Sequence, residues 1–162
     1  MQVIEAPNVY RSLPITKPKI IFLAGSIEMG TAENWQDEII KVIEDSPLNT
    51  VDTMILNPRR KKWDNAWEQS IKNPYFREQV EWELQAIENA NLVIFYFDPA
   101  TQSPITLMEL GTFIKRSGRA IVCCPEGYWK KGNVEVFCDF MGIMLVDTKQ
   151  ELINFLKETS WK

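Results

Sequence analysis

Apolar residues fall along this chain in two alternating rhythms. Short runs, most of them unbroken, occupy 20–24, 53–56, 92–97, 120–124 and 143–146, the pattern of parallel strands covered on both faces. Between them, stretches 31–44, 75–89, 104–116, 134–140 and 149–158 carry helical spacing. In the second of these, Phe76, Val80, Leu84 and Ile87 recur three and four residues apart, which predicts one apolar face. Ser103 before Pro104 reads as a helix start, a hydroxyl cap followed by a proline whose missing N–H costs nothing at the first position.

Five strand–helix units in series predict a single α/β domain over 19–162, with a five-stranded parallel sheet and helices on both faces. That architecture is flavodoxin-like or Rossmann-like. An extended arm at 1–18, containing Pro7, Pro14 and Pro18, precedes it. The long irregular stretch 58–74 carries Arg59, Arg60, Lys61, Lys62, Trp63 and Trp67, and a loop of that length in a compact domain is often functional. Its indoles and cations suit either a flat base or plain solvation. Ligands of such sheets bind beyond the C-terminal strand ends. Gly25 and Ser26 lie there after the first strand, Asn57 and Arg59 after the second, and Asp98, Ser103 and Thr106 after the third. Gly25 and Ser26 with Gly30 make only a weak phosphate-turn pattern, lacking both the GxGxxG spacing and a Walker lysine.

Composition narrows the chemistry. Acidic residues outnumber basic ones, 22 to 18, which argues against a nucleic-acid polymer as partner, since phosphate-tracking surfaces need a basic excess. No run approaches the roughly 18 apolar residues that span a bilayer, and the start of the chain lacks the layout of a secretory signal. Cys123, Cys124 and Cys138 make neither a disulfide framework nor a metal site, so no metal or cofactor is expected. They read as reduced, buried thiols, which predicts a cytoplasmic protein. The chain has no His. That excludes Ser-His-Asp and Cys-His mechanisms and leaves carboxylates as acid, base and nucleophile.

Two carboxylates stand out. Glu109 falls about one and a half turns into the helix that starts at Pro104, between Leu107, Met108 and Leu110. A partly desolvated carboxylate fits there, and so does an ordinary solvated one. The free N–H groups at 103–106 are placed to hold hydroxyls or a phosphate. Gly111 inside that helix costs about 1 kcal/mol relative to Ala, which close packing against a neighbour or ligand would explain. Glu83 borders the apolar stripe of the preceding helix, whereas Glu78, Glu81 and Glu88 read as solvated.

Five segments in order carry a resemblance. They are IFLAGSI at 21–27, LNPRR at 56–60, REQVEWE at 77–83, DPATQSPITLMELG at 98–111 and KGNV at 131–134. Together they resemble the nucleoside 2-deoxyribosyltransferase superfamily, especially its second, deoxyribosyltransferase-like branch, over about 19–146. The resemblance implies that Glu109 attacks the anomeric carbon and forms a glycosyl ester, with Glu83 as the second acid. It implies a nucleoside or nucleotide substrate, a free nucleobase acceptor, and Gly25, Ser26, Asn57, Arg59, Asp98, Ser103 and Thr106 around them. Asn133 would reach the 5′ end of the sugar in a neighbouring subunit, which implies a homodimer or larger even-numbered oligomer with shared sites. Two positions depart from the deoxynucleoside transferases: Ser103 stands where Asp is usual, and Glu83 replaces a shorter Asp. The first is similar to a related branch that hydrolyses nucleoside monophosphates. Hydrolysis, and a non-catalytic nucleotide-binding module, are the alternatives.

Overall fold

A computed structural model describes residues 1–10, 17–27, 32–112 and 119–161 of the protein. The expected elements follow in order as β2 (Lys19–Gly25), α1 (Trp35–Glu44), β3 (Thr53–Asn57), α2 (Pro74–Asn89), β4 (Leu92–Tyr96), α3 (Pro104–Thr112), β5 (Arg119–Cys123), α4 (Lys131–Met141), β6 (Met144–Val146) and α5 (Lys149–Glu158). Residue 31, the expected start of the first helix, and the end of the helix expected to 116 lie outside the described residues, as do Pro14 and Gly30. The arm supplies one element more. Gln2–Glu5 forms β1 and pairs in parallel with β3, giving six strands rather than five. All pairings are parallel, in the order β1-β3-β2-β4-β5-β6.

Alternate residues of each buried strand feed two cores. Phe22, Ala24, Leu56, Val93, Phe95 and Val122 pack beneath α2, α3 and α4, while Ile21, Leu23, Ile55, Ile94 and Ile121 pack beneath α1 and α5. Local signals set the helix ends. Asn73 caps α2 through its side chain ahead of Pro74, and Thr148 with Glu151 forms a capping box on α5. The apolar stripe on α2 departs from its expected use. Trp82, Ala86 and Ile87 with Gln79 are the buried residues of α2, whereas Phe76, Val80 and Leu84 wall a cavity. Apolar spacing marks a face that meets protein or ligand, and here it meets both.

The chain runs from β2 through α1 to β3 on one side, then crosses back through α2 to β4 on the other. The crevice this leaves beyond the ends of β2 and β4 is where such folds bind ligands. Gly25 closes β2 at that point. A Cβ there would come within 2.6 Å of both the Trp35 ring and the Tyr96 carbonyl oxygen, and neither a buried indole nor a strand backbone yields easily. Gly25→Ala is therefore expected to cost about 1–3 kcal/mol, read as a drop of several degrees in the thermal midpoint; an unchanged midpoint would contradict this packing.

Candidate functional site

The crevice holds a cavity of about 760 Å³, within the usual range for small-molecule sites. Its floor is the end of β2, one wall is α2, another is the start of α3, and the loop after β3 forms the rim. Of the expected site residues, Gly25, Ser26, Arg59, Glu83, Ser103, Thr106 and Glu109 line it. Asn57, Asp98 and Asn133 do not.

Each placement has a local cause. Three hydroxyls tie the start of α3 to the end of β2. Thr101 Oγ1 lies 2.8 Å from Ser26 Oγ and 2.7 Å from Ser103 Oγ, and the Ser26 and Ser103 hydroxyls also contact each other. The Asp98 amide donates to Ser26 Oγ at 3.0 Å. To reach this cluster Ser103 adopts a left-handed backbone, φ 46°, a conformation that costs a non-glycine residue about 1–3 kcal/mol. The Ser103 hydroxyl meets those of Thr101 and Ser26, and the Ser103 carbonyl accepts from Leu107 N at 3.2 Å, a bond into the start of α3. From the β5 side, Tyr128 Oη and Trp129 Nε1 both donate to the Gln102 carbonyl, at 2.8 and 2.9 Å.

The basic loop is largely engaged by the protein itself. Arg59 donates to the carbonyls of Ala32 and Glu33 and to Gln36 Oε1, at 3.0–3.3 Å. Arg60 pairs with Glu78 at 3.1 Å and lies over the Trp67 ring. Trp67 stacks on Tyr75 at 5.4 Å, leaving Trp63 as the indole on the cavity. Asn57 Oδ1 accepts from Arg59 N at 3.0 Å. Asp98 accepts from Glu33 N and Ala100 N, at 3.2 and 2.9 Å. Both are buried and hold loops in shape. Asn133 is exposed on α4. Gly111 has no packing reason within the described chain, since a Cβ there would meet nothing within 4 Å.

The electrostatic centre is the pair of glutamates. Glu109 is 6% exposed, and Glu83 keeps only part of its surface, on the cavity side. Burial pushes the Glu83 carboxyl up to about 7, against the opposing pull of a hydrogen bond from Gln79. Glu109 is held well above the ordinary carboxylate range by burial and then by the charge of Glu83. Burial thus favours the protonated form of both carboxyls, and the titration of such neighbouring groups belongs to the pair. Sequence reasoning missed two members of this arrangement. Thr101 completes the hydroxyl cluster, and its nearness to Ser103 was the available signal. Gln79 stands four residues before Glu83, one helical turn away, a spacing that would have flagged it.

Fold and site together define an α/β protein with a parallel sheet flanked by helices and two carboxyl groups on the cavity of its crevice. Residues 18–128, more than half of the chain, match the family described as nucleoside 2-deoxyribosyltransferase like, and the chain belongs to that family. No curated protein matches it. Among solved structures, a conserved protein from Enterococcus faecalis V583 is similar in fold, with a TM-score of 0.60 at 10% identity over 86% of this chain and 98% of that one. Among the described residues, no helix is long and apolar enough to cross a membrane.

The raised carboxyls make stability depend on pH in a defined direction. Their folded values lie above the ordinary 4.5, so between the unfolded and folded values the folded protein binds more protons. Stability then falls as pH rises through that interval, up to about 7 for Glu83. Glu109→Gln is expected to melt several degrees above wild type near pH 8 and to converge with it near pH 4. Thermal melts across that range check the sign; a variant that melts below wild type near pH 8 would contradict it.

Proposed function

We propose that the protein cleaves the N-glycosidic bond of a nucleoside and transfers the sugar to a second base, through an ester on Glu109. The observation that carries this reading is the pairing of a buried Glu109 with a half-buried Glu83 on one cavity at the switch point of the sheet. In the first half-reaction a carboxylate oxygen of Glu109 forms a bond to C1′ while the C1′–N bond breaks. The bonding electrons leave with the base, which takes the proton of Glu83. Positive charge growing at the sugar favours the arrangement in which Glu109 is anionic and Glu83 holds a proton. In the second half an acceptor base attacks C1′, the ester opens, and the incoming proton returns to Glu83. Water in place of the base would give hydrolysis with the same groups.

The sugar lies over the end of β2 beside Ser26 and Ser103, and the base lies toward Phe76 and Trp63. Because Arg59 and Arg60 are tied to protein partners, a free 5′-hydroxyl suits the site better than a monophosphate. Asn133 lies on an exposed face of α4 with Val136 and Phe140, which are 71% and 86% exposed. A second copy covering that face would bring Asn133 to the neighbour's cavity.

A panel of nucleosides and monophosphates, each with and without a second base, tests the activity by base release. Glu109→Ala is expected to lose at least about a thousandfold of that release while keeping the fold; a variant of near wild-type activity would overturn the assignment. The shared site has its own check. Glu109→Ala and Asn133→Ala proteins, each inactive alone, are expected to regain partial activity when mixed and allowed to exchange subunits. Light scattering that finds a monomer would contradict it.

A further inference from the structure

Gln79 sits one turn before Glu83 on α2, buried with 4% of its surface exposed. Its amide nitrogen donates to the Pro58 carbonyl and to Glu83 Oε1, both at 2.9 Å. A backbone carbonyl only accepts, so the contact with Pro58 fixes which end of the amide is nitrogen. Both amide protons are then used, one on the loop after β3 and one on the carboxyl. The amide oxygen is left buried without a hydrogen-bond partner, an arrangement that costs stability and that an apolar side chain of similar size would avoid. The two donations are what the residue supplies in return.

We propose that Gln79 is a positioning residue that selects which oxygen of Glu83 carries the transferable proton. The proposal rests on the reading of Glu83 as the acid. In a neutral carboxyl the carbonyl oxygen is the better acceptor, so the N–H of Gln79 makes Oε1 the carbonyl and leaves the proton on Oε2. As the proton departs for the base, negative charge grows on the carboxyl and the bond to Oε1 becomes charge-assisted. The donor is already aimed, so no reorganisation is needed at the moment of transfer. On the return step Oε2 is again the free oxygen, placed to take the proton of the incoming base. Through Pro58 the same amide ties the acid to the loop that carries Arg59, Arg60 and Trp63, so the acid and the rim of the cavity keep one geometry.

The other charged groups around Glu83 do not duplicate this. From α3 Glu109 lines the same cavity, and a carboxyl offers the Glu83 anion no stabilising charge. Arg59 and Arg60 line the same cavity from the loop after β3 but are engaged with the α1 approach and with Glu78. The end of β2 presents the Ser26 hydroxyl, already within the three-hydroxyl cluster. Among the described residues Gln79 is the one hydrogen-bond donor to the Glu83 carboxyl. It also acts against burial, which raises that carboxyl to about 7.

The test measures kcat and KM for base release from pH 5 to pH 9 in wild type, Gln79→Met and Gln79→Glu. Methionine keeps the length without donors, and glutamate keeps the shape without N–H groups. In Gln79→Met kcat at the optimum is expected to fall by about ten- to a hundredfold, with KM changed less than about threefold. The alkaline limb, where Glu83 loses its proton, is expected to move to higher pH because the anion has lost its donor. A fall confined to KM, or an alkaline limb that stays in place, would overturn the proposal. An infrared spectrum of wild type at acidic pH reads the same bond without either variant. The protonated carboxyl band that disappears in Glu83→Gln is expected at the low frequency of a carbonyl that accepts a hydrogen bond. A band at the frequency of a free carbonyl would overturn it as well. If Glu83→Gln releases base as fast as wild type, the reading of Glu83 as the acid has failed, a result that does not depend on Gln79.

Discussion

Burying a carboxyl group raises the energy of its anion, and burying two within reach of each other raises it again. Much of the architecture around Glu83 and Glu109 can be understood as holding that unfavourable pair in place. Glu109 comes from α3 and Glu83 from α2, helices packed on the same face of the sheet. α3 is tied to the end of β2 by the Ser26–Thr101–Ser103 hydroxyls, with Ser103 bent into a strained backbone to complete the contact. α2 is tied to the loop after β3 through Gln79 and Pro58. Several costs accumulate at one crevice: raised carboxyls, a left-handed serine and an orphaned amide oxygen. The two cores beneath must offset them. Such clustering of unfavourable features is common where a protein binds or reacts.

Much of this was legible in the amino-acid order. Continuous apolar runs identified five of the six strands because strands covered on both faces leave no polar alternation. β1 escaped notice because its four residues, QVIE, are at most half-buried and sit on the sheet edge beside β3. On α2 the spacing of Phe76, Val80 and Leu84 was read correctly as an apolar face, but periodicity does not say whether that face meets core or cavity. Loop residues were the least legible. Arg59, Asn57 and Asp98 carry the polar groups a ligand would want, and the chain uses them on its own backbone. Which way a loop side chain turns is decided by partners distant in sequence, as with Glu33 and Asp98, 65 residues apart.

Family and fold contribute different kinds of support. The similarity to the Enterococcus protein, at 10% identity, speaks for the arrangement of strands and helices alone. The family match ends at residue 128, so it spans the Glu83–Glu109 pair and the hydroxyl cluster but not α4, where Asn133, Val136 and Phe140 share an exposed face. The proposed chemistry therefore draws on matched segments, and the proposed assembly draws on the exposure of a helix outside them.

The account turns on a covalent bond between the sugar and one named carboxylate. The most direct measurement is mass spectrometry of the protein after incubation with a 2′-fluoro nucleoside, whose electron-poor sugar slows breakdown of the ester. One sugar should be added per chain, on the peptide that contains Glu109, and none should be added to Glu109→Ala. A sugar on Glu83 or elsewhere, or steady base release from ordinary nucleosides with no adduct from the fluorinated one, would contradict the account.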